Sequence, residues 1–130
     1  MDVKEYLKND KFAEHNGIEL LTAENGKATA RLKLKPYHYN AYGTLHGGAV
    51  FTLADFAFAA ACNSHGTKAV GINANLSYFK AVDKGEITAV AEEISLGGKL
   101  GGYVVKIYHN EEVVAIFQGM AYRKKDVPLG

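Results

Sequence analysis

The sequence predicts an α+β domain in which an antiparallel sheet wraps one long central helix. Three observations carry that reading. Residues Gly47 to Asn63 are apolar almost all the way round, the pattern of a helix buried on every side. The segments around it alternate apolar and polar residues with the period of two that strands require. The order is helix, strand, strand, long helix and four strands, without repeat, low-complexity tract or linker. A chain of 130 residues then forms one domain, 1–130, with an N-terminal helix in 1–16 and the core in 17–125.

Each element has its own signal. Residues 2–14 read as one short amphipathic helix with Val3, Tyr6, Leu7 and Phe12 on one side, Asp2 as N-cap and Asn16-Gly17 as its end. Ile18 to Ala23 is a strand, Glu24-Asn25-Gly26 a hairpin turn, and Lys27 to Lys35 a second strand. In that second strand Ala28, Ala30, Leu32 and Leu34 face inward, and Pro36 stops it. The long helix closes at Gly66. Lys68 to Lys80 then alternates Val70, Ile72, Ala74, Leu76 and Tyr78 against Gly71, Asn73, Asn75, Ser77 and Phe79. Glu86 to Leu96 is a strand, followed by a glycine-rich turn over 97–102. Tyr103 to His109 and Glu112 to Lys124 form a hairpin across His109-Asn110-Glu111. Such a sheet covers one helix face and leaves an edge to manage, so the remaining apolar helix surface invites a second subunit.

Composition narrows the function classes. Fifteen basic side chains against fourteen acidic give no reason to expect a nucleic-acid or membrane partner. The run Arg123-Lys124-Lys125 reads as a solvated strand end. The single cysteine, Cys62, excludes an internal disulfide framework and fits a reducing compartment. The N-terminus lacks the basic start and apolar core of a signal peptide, and the longest apolar run, Ala49 to Cys62, is too short for a bilayer. A cytoplasmic protein is expected. The histidines at 15, 38, 46, 65 and 109 are scattered, which disfavours a metal site. No cofactor is expected either.

The chemistry concentrates between Asn40 and Asn63. Gly47-Gly48 at a helix start lets a bound group approach free N–H groups and the positive end of the dipole, where an oxyanion can be held. The same glycines also suit a plain tight turn. Asp55 is the only formally charged side chain between Lys35 and Lys68, and it sits mid-helix. A partly desolvated carboxylate there has the raised pKa of a general base; otherwise backbone or Asn63, Asn73, Asn75 or Ser77 holds it. Gly48 and Asp55 are seven residues apart, roughly 10 Å along a helix. Both cannot reach one carbonyl within a subunit. Two antiparallel helices about a twofold axis would bring Gly48 of one beside Asp55 of the other.

The pattern Asn40-x5-His46-Gly47-Gly48-x6-Asp55, with Asn40-Ala-Tyr-Gly-Thr-Leu-His-Gly-Gly and Leu53-Ala-Asp55 in place, resembles the hotdog-fold acyl-CoA thioesterases. Within them it is most similar to the phenylacetyl-CoA thioesterase family of bacterial phenylacetate degradation, over about Ile18 to Arg123. That resemblance implies hydrolysis of aromatic (phenylacetyl-type) or medium-chain acyl-CoA by homodimers that assemble into homotetramers. It implies Asp55 as the catalytic carboxylate, as base or nucleophile. It makes the Gly48 N–H of the opposite subunit the oxyanion donor, Asn40 an orienting group and His46 the residue fixing the turn. Gly47, Asn73, Tyr78, Lys80 and Lys99 fall at substrate- and CoA-binding positions, although Asn73 stands where relatives carry a hydroxyl. Tyr39, Tyr42, Phe56 and Tyr78 are aromatic candidates for the acyl pocket. A hotdog dehydratase or hydratase, and a non-catalytic acyl-CoA-binding module, are the alternatives. The first lacks the usual pairing of His with an acid, and the second has no need of Asp55.

Overall fold

The computed structural model describes residues 1–130. Its elements are α1 (Val3–Leu7), α2 (Lys11–His15), β1 (Glu19–Glu24), β2 (Lys27–Lys33), a 3-10 turn (Pro36–His38), α3 (Gly47–Asn63), β3 (Thr67–Tyr78), β4 (Glu86–Leu96), β5 (Leu100–His109) and β6 (Glu112–Pro128). The six strands form one sheet in the order β1-β2-β4-β5-β6-β3, antiparallel at every pairing. The sheet curves around α3, so the α+β reading holds.

α3 has the expected bounds. Its sheet-facing side is made largely of methyl groups: Ala54, Ala57, Ala60 and Ala61 are fully buried together with Leu53. Small side chains let the helix lie close to the strands. The helix is not buried on every side, however. Gly48 and Asp55 are exposed, and Thr52 and Ala59 are half-buried. Their spacing of three to four residues makes them one open stripe along the helix.

The N-terminal segment is two short helices rather than one. Asp10 takes an extended conformation, and its carboxylate accepts the Ala13 N–H at 2.9 Å, so it caps a second helix where a single one was expected to continue. Asp2 caps the first by accepting the Glu5 N–H at 2.9 Å. Phe12 points away from the core, which takes Val3, Leu7 and Ala13 instead.

Two hairpins follow from positive-φ pairs, Asn25 with Gly26 and Asn110 with Glu111. β5 begins three residues before the expected Tyr103, because Gly101 and Gly102 join the ladder with β4 and β6. A Cβ on Gly101 would lie 2.9 Å from the Tyr103 ring, so the glycine makes room for it.

β3 lies at one edge of the sheet, and its alternation breaks. A bulge between Gly71 and Asn73 shifts the register against β6. Past the bulge, Ala74, Leu76 and Tyr78 pair with Gly119, Phe117 and Ala115 and share their face, as expected. Before it the faces are exchanged: Ala69 is buried, while Val70 and Ile72 are exposed. The reason is Phe58 of α3, which reaches the sheet at Gly71 and Gly119; a Cβ there would lie 2.8 and 2.9 Å from its ring.

Gly119→Ala is therefore expected to overpack this contact and to cost about 1–3 kcal/mol. A lower urea midpoint with an unchanged m-value is the expected measurement; an unchanged midpoint would show that Phe58 has room to move.

At the far end of α3, Asn63 is buried and stitches helix to strand. Its amide donates to the Ala59 and Ala69 carbonyls, and its Oδ1 accepts the Ala69 N–H at 2.9 Å. Cys62 is buried beside it, and burial pushes its thiol up to about 12, which leaves it an inert core residue.

Candidate active site at the start of the central helix

His46 is the N-cap of α3, and its Nδ1 accepts the Gly48 N–H at 2.8 Å. Its carbonyl accepts the N–H groups of Ala49 at 3.0 Å and Val50 at 3.3 Å. Gly48, expected as the oxyanion donor, thus has its amide already engaged. The N–H of Gly47 donates to no acceptor in the chain. It is the one amide of the first turn left open. On the other side of the same residue, the Tyr78 hydroxyl donates to the Gly47 carbonyl at 2.8 Å. A Cβ on Gly47 would lie 3.0 Å from that hydroxyl, so Tyr78 accounts for a glycine here.

The loop before the helix is tied down at several points. Asn40 Oδ1 accepts the N–H groups of Tyr42 and Thr44, each at 3.0 Å, and its Nδ2 donates to Thr44 Oγ1 at 3.1 Å. The second proton of that amide stays available. The Leu45 N–H donates to the Val82 carbonyl at 2.8 Å, and the His46 N–H to the His38 carbonyl at 2.8 Å.

Asn40, Gly47, Tyr78 and Lys80 border one cleft of about 310 Å³, whose walls include Val50, Phe79, Val82 and Val114. The Lys80 ammonium at the rim is paired with the Glu112 carboxylate, and both are solvent-exposed. An apolar cleft with a few convergent polar groups is the usual form of a small-molecule site.

Asp55 lies two turns along α3 from this cleft. It is exposed in the protomer, and its carboxylate has neither a hydrogen bond nor an ion pair with any side chain or amide of the chain. Asn63, Asn73, Asn75 and Ser77, considered as its holders, do not bond it. The atoms crowding its remaining sides desolvate the carboxyl and raise its pKa, and the charge of Asp10 adds to the effect. Eight residues separate Gly47 from Asp55, roughly 12 Å of helix rise.

The other expected site residues are dispersed. Asn73 is exposed on β3 just past the bulge and does not line the cleft. Lys99 sits in the β4–β5 turn, where its carbonyl accepts the Arg123 N–H. Ala115 borders the cleft, and the eight strand residues from it to Arg123 span roughly 26 Å, so Lys99 is at the opposite end of the sheet. Of the aromatic candidates only Tyr78 faces the cleft. Tyr39 donates its hydroxyl to the Asp83 carbonyl at 2.6 Å, Tyr42 is solvent-exposed, and Phe56 is buried toward α1, α2 and β1. One residue escaped the reading of motifs altogether: His38 is 2% exposed and bonded through both ring nitrogens. Its signal was Pro36 opening a helical turn, whose third residue can reach back to the capping amide.

A long helix held in a curved antiparallel sheet, with its open N-terminus at an apolar cleft, is the hotdog class of domain. The sequence model of the Thioesterase superfamily matches residues 42–116. A relative in Archaeoglobus fulgidus is 38% identical, across 97% of this chain and 84% of its own. The acyl-coenzyme A thioesterase PaaI of Escherichia coli is 32% identical across 89% of this chain and 84% of its own. Among solved structures, the E. coli PaaI protein of the phenylacetic acid degradation operon superposes with a TM-score of 0.89 at 31% identity, covering 94% of this chain and 90% of that one. PaaI of Thermus thermophilus, a phenylacetic acid degradation protein solved as a mutant, gives 0.85 at 33% identity, covering 88% and 99%. The chain belongs to the thioesterase superfamily, and its class of reaction is thioester hydrolysis.

Proposed function

We propose that this protein hydrolyses acyl-CoA thioesters, with aromatic acyl groups of the phenylacetyl type or medium-chain groups as substrates, at sites shared between two protomers. One observation carries the reading. On a single helix, an amide without an acceptor belongs to a residue that borders an apolar cleft, and a carboxylate without a partner lies roughly 12 Å further on. Each has the chemistry the other lacks, and they are too far apart to serve one carbonyl in cis.

In the mechanism we infer, the Gly47 N–H and the spare Nδ2–H of Asn40 donate to the thioester oxygen and stabilise the charge that develops there. Asp55 of a second protomer takes a proton from water as the water oxygen attacks the carbonyl carbon. The tetrahedral intermediate collapses with cleavage of the C–S bond, and the CoA sulfur leaves as thiolate and is then protonated. Direct attack by the Asp55 carboxylate, through a mixed anhydride that water hydrolyses, is the alternative course for the same residue. The bond from Gly48 to His46 Nδ1 replaces the expected oxyanion role of Gly48 with a supporting one: it fixes the turn that presents Gly47. Val50, Phe79, Val82 and Val114 offer the acyl group an apolar wall. Lys80 is the lysine placed to meet a CoA phosphate, exchanging Glu112 for it; Lys99 could act only on the site of another protomer. The open stripe of α3 and the exposed apolar residues of edge strand β3 favour a homodimer, further assembled to a tetramer.

The test is a hydrolysis panel of acyl-CoA esters of graded size, from acetyl to phenylacetyl and medium-chain, read as free thiol. Turnover of an aromatic or medium-chain ester above acetyl-CoA is expected. Binding of these esters without thiol release would instead identify a binding module.

A further inference from the structure

His38 makes four hydrogen bonds where the end of α2, the 3-10 turn and the approach to α3 meet. Its Nδ1 accepts the Lys35 N–H at 2.9 Å, and its Nε2 lies 2.9 Å from the Asn16 carbonyl. An N–H at one nitrogen and a carbonyl at the other admit only the neutral Nε2–H tautomer, which accepts from Lys35 and donates to Asn16. The backbone of the same residue donates to the Lys35 carbonyl at 2.9 Å and accepts the His46 N–H at 2.8 Å. Asn16 ends α2, and its carbonyl is one of those a helix terminus leaves without an intrahelical partner.

The bonds run in series. The Asn16 carbonyl holds the His38 ring, the His38 carbonyl holds the His46 amide, and the His46 ring holds the Gly48 amide. Two imidazoles therefore connect the end of α2 to the first turn of α3, where the Gly47 N–H is presented. Between them lies the loop that carries Asn40. A satisfied core histidine would need no such placement. This one is bonded to the His46 amide directly before the turn that carries Gly47, and it stands two residues before Asn40.

We propose that His38 is a positioning residue for thioester hydrolysis: its ring locks the 39–46 loop against α2 so that Asn40 and Gly47 converge on the carbonyl oxygen. The kinetic side of this inference rests on the hydrolase reading. A displacement of about 1 Å in a positioned donor can cost on the order of 10² in rate, so the effect falls on kcat rather than on binding.

Two substitutions separate the two ring bonds. His38→Asn keeps an acceptor near the Nδ1 position and loses the reach to Asn16; His38→Gln keeps a donor near the Nε2 position and leaves the Lys35 amide unpaired. With the best acyl-CoA of the panel, at a temperature well below every Tm, each variant is expected to lose about ten- to a hundred-fold in kcat with KM changed by no more than about threefold. In amide NMR spectra, the Gly47 and Gly48 resonances are expected to move in both variants. Lowered Tm with unchanged kcat and unmoved glycine resonances would overturn the proposal and leave His38 a core anchor. A wild-type protein that hydrolyses no acyl-CoA would sink the hydrolase reading instead, and the glycine resonances would then decide the linkage by themselves.

Discussion

Asp55→Asn is expected to give a folded protein whose turnover is lower by about 10² to 10⁴, because a neutral amide cannot take a proton from water. The structure adds a second, opposite expectation for stability. The folded-state pKa of Asp55 is raised, by desolvation first and by Asp10 second. Between the unfolded and folded pKa values the native protein holds the extra proton, so its stability falls as pH rises through that window. Above it, the ionised Asp55 subtracts from stability. Removing the charge should therefore leave Tm at pH 7 unchanged or higher while activity is lost. The wild-type acid limb of kcat/KM should likewise lie above the usual aspartate pKa of about 3.9. Near-normal turnover by the folded variant would end the assignment of Asp55 as the reacting carboxylate.

Mixing two dead proteins should restore activity. Gly47→Pro deletes the open N–H and is expected to lower turnover by about 10² to 10³. The backbone suits it: Gly47 is the first residue of α3, where proline is tolerated, and His46 before it is extended at φ −63°, ψ 134°. The added Cβ requires the exposed Tyr78 side chain, 3.0 Å away, to give by a few tenths of an ångström, and Gly47→Ala, which adds the Cβ but keeps the N–H, controls for that shift. If Gly47 of one chain and Asp55 of its partner form each site, a heterodimer with Asp55→Asn has one site with both lesions and one with neither. Random assortment makes about half of the dimers mixed, so roughly a quarter of wild-type activity should return after joint unfolding and refolding. A site within one chain predicts no recovery, since every site would keep a lesion. Exchange confirmed by mass without recovered activity would falsify the shared site.

How legible all this was in the sequence varied with the kind of signal. α3 could be bounded because an apolar run began at a glycine pair and ended at an asparagine, and both hairpins announced themselves through Asn-containing turns. The break at Asp10 did not, since an aspartate inside an amphipathic pattern looks the same whether it faces solvent or caps a new helix. The register of β3 was hidden for a related reason. Val70 and Ile72 continue the alternation perfectly, and only the bulk of Phe58 over Gly71 shows why the strand turns its other face inward there. At the candidate site, residue types singled out Asn40, the His46-Gly47-Gly48 turn and Asp55, of which the structure places Asn40 and Gly47 on one cleft and Asp55 apart from it. Which glycine amide is open depends on the conformer of His46, which no spacing encodes. Lys99 could not be placed either, because the strand that separates it from the cleft is a distance and not a motif.

The methyl-lined underside of α3 has a consequence of its own. Ala54, Ala57, Ala60 and Ala61 leave almost no side-chain freedom between helix and sheet, so α3 can neither roll nor slide without opening voids or colliding with strands. The spacing of Gly47 and Asp55 is then set by the covalent rise of a rod. If the cleft takes the acyl group as proposed, adaptation to different acyl groups falls to the parts that are not so clamped, the 36–46 loop and the 79–85 segment that supplies Phe79 and Val82. On the proposed mechanism, substitutions there would trade one substrate for another over many generations while Gly47 and Asp55 stay where the rod holds them. A lineage built on this plan can diversify in what it accepts and remain conservative in what it does.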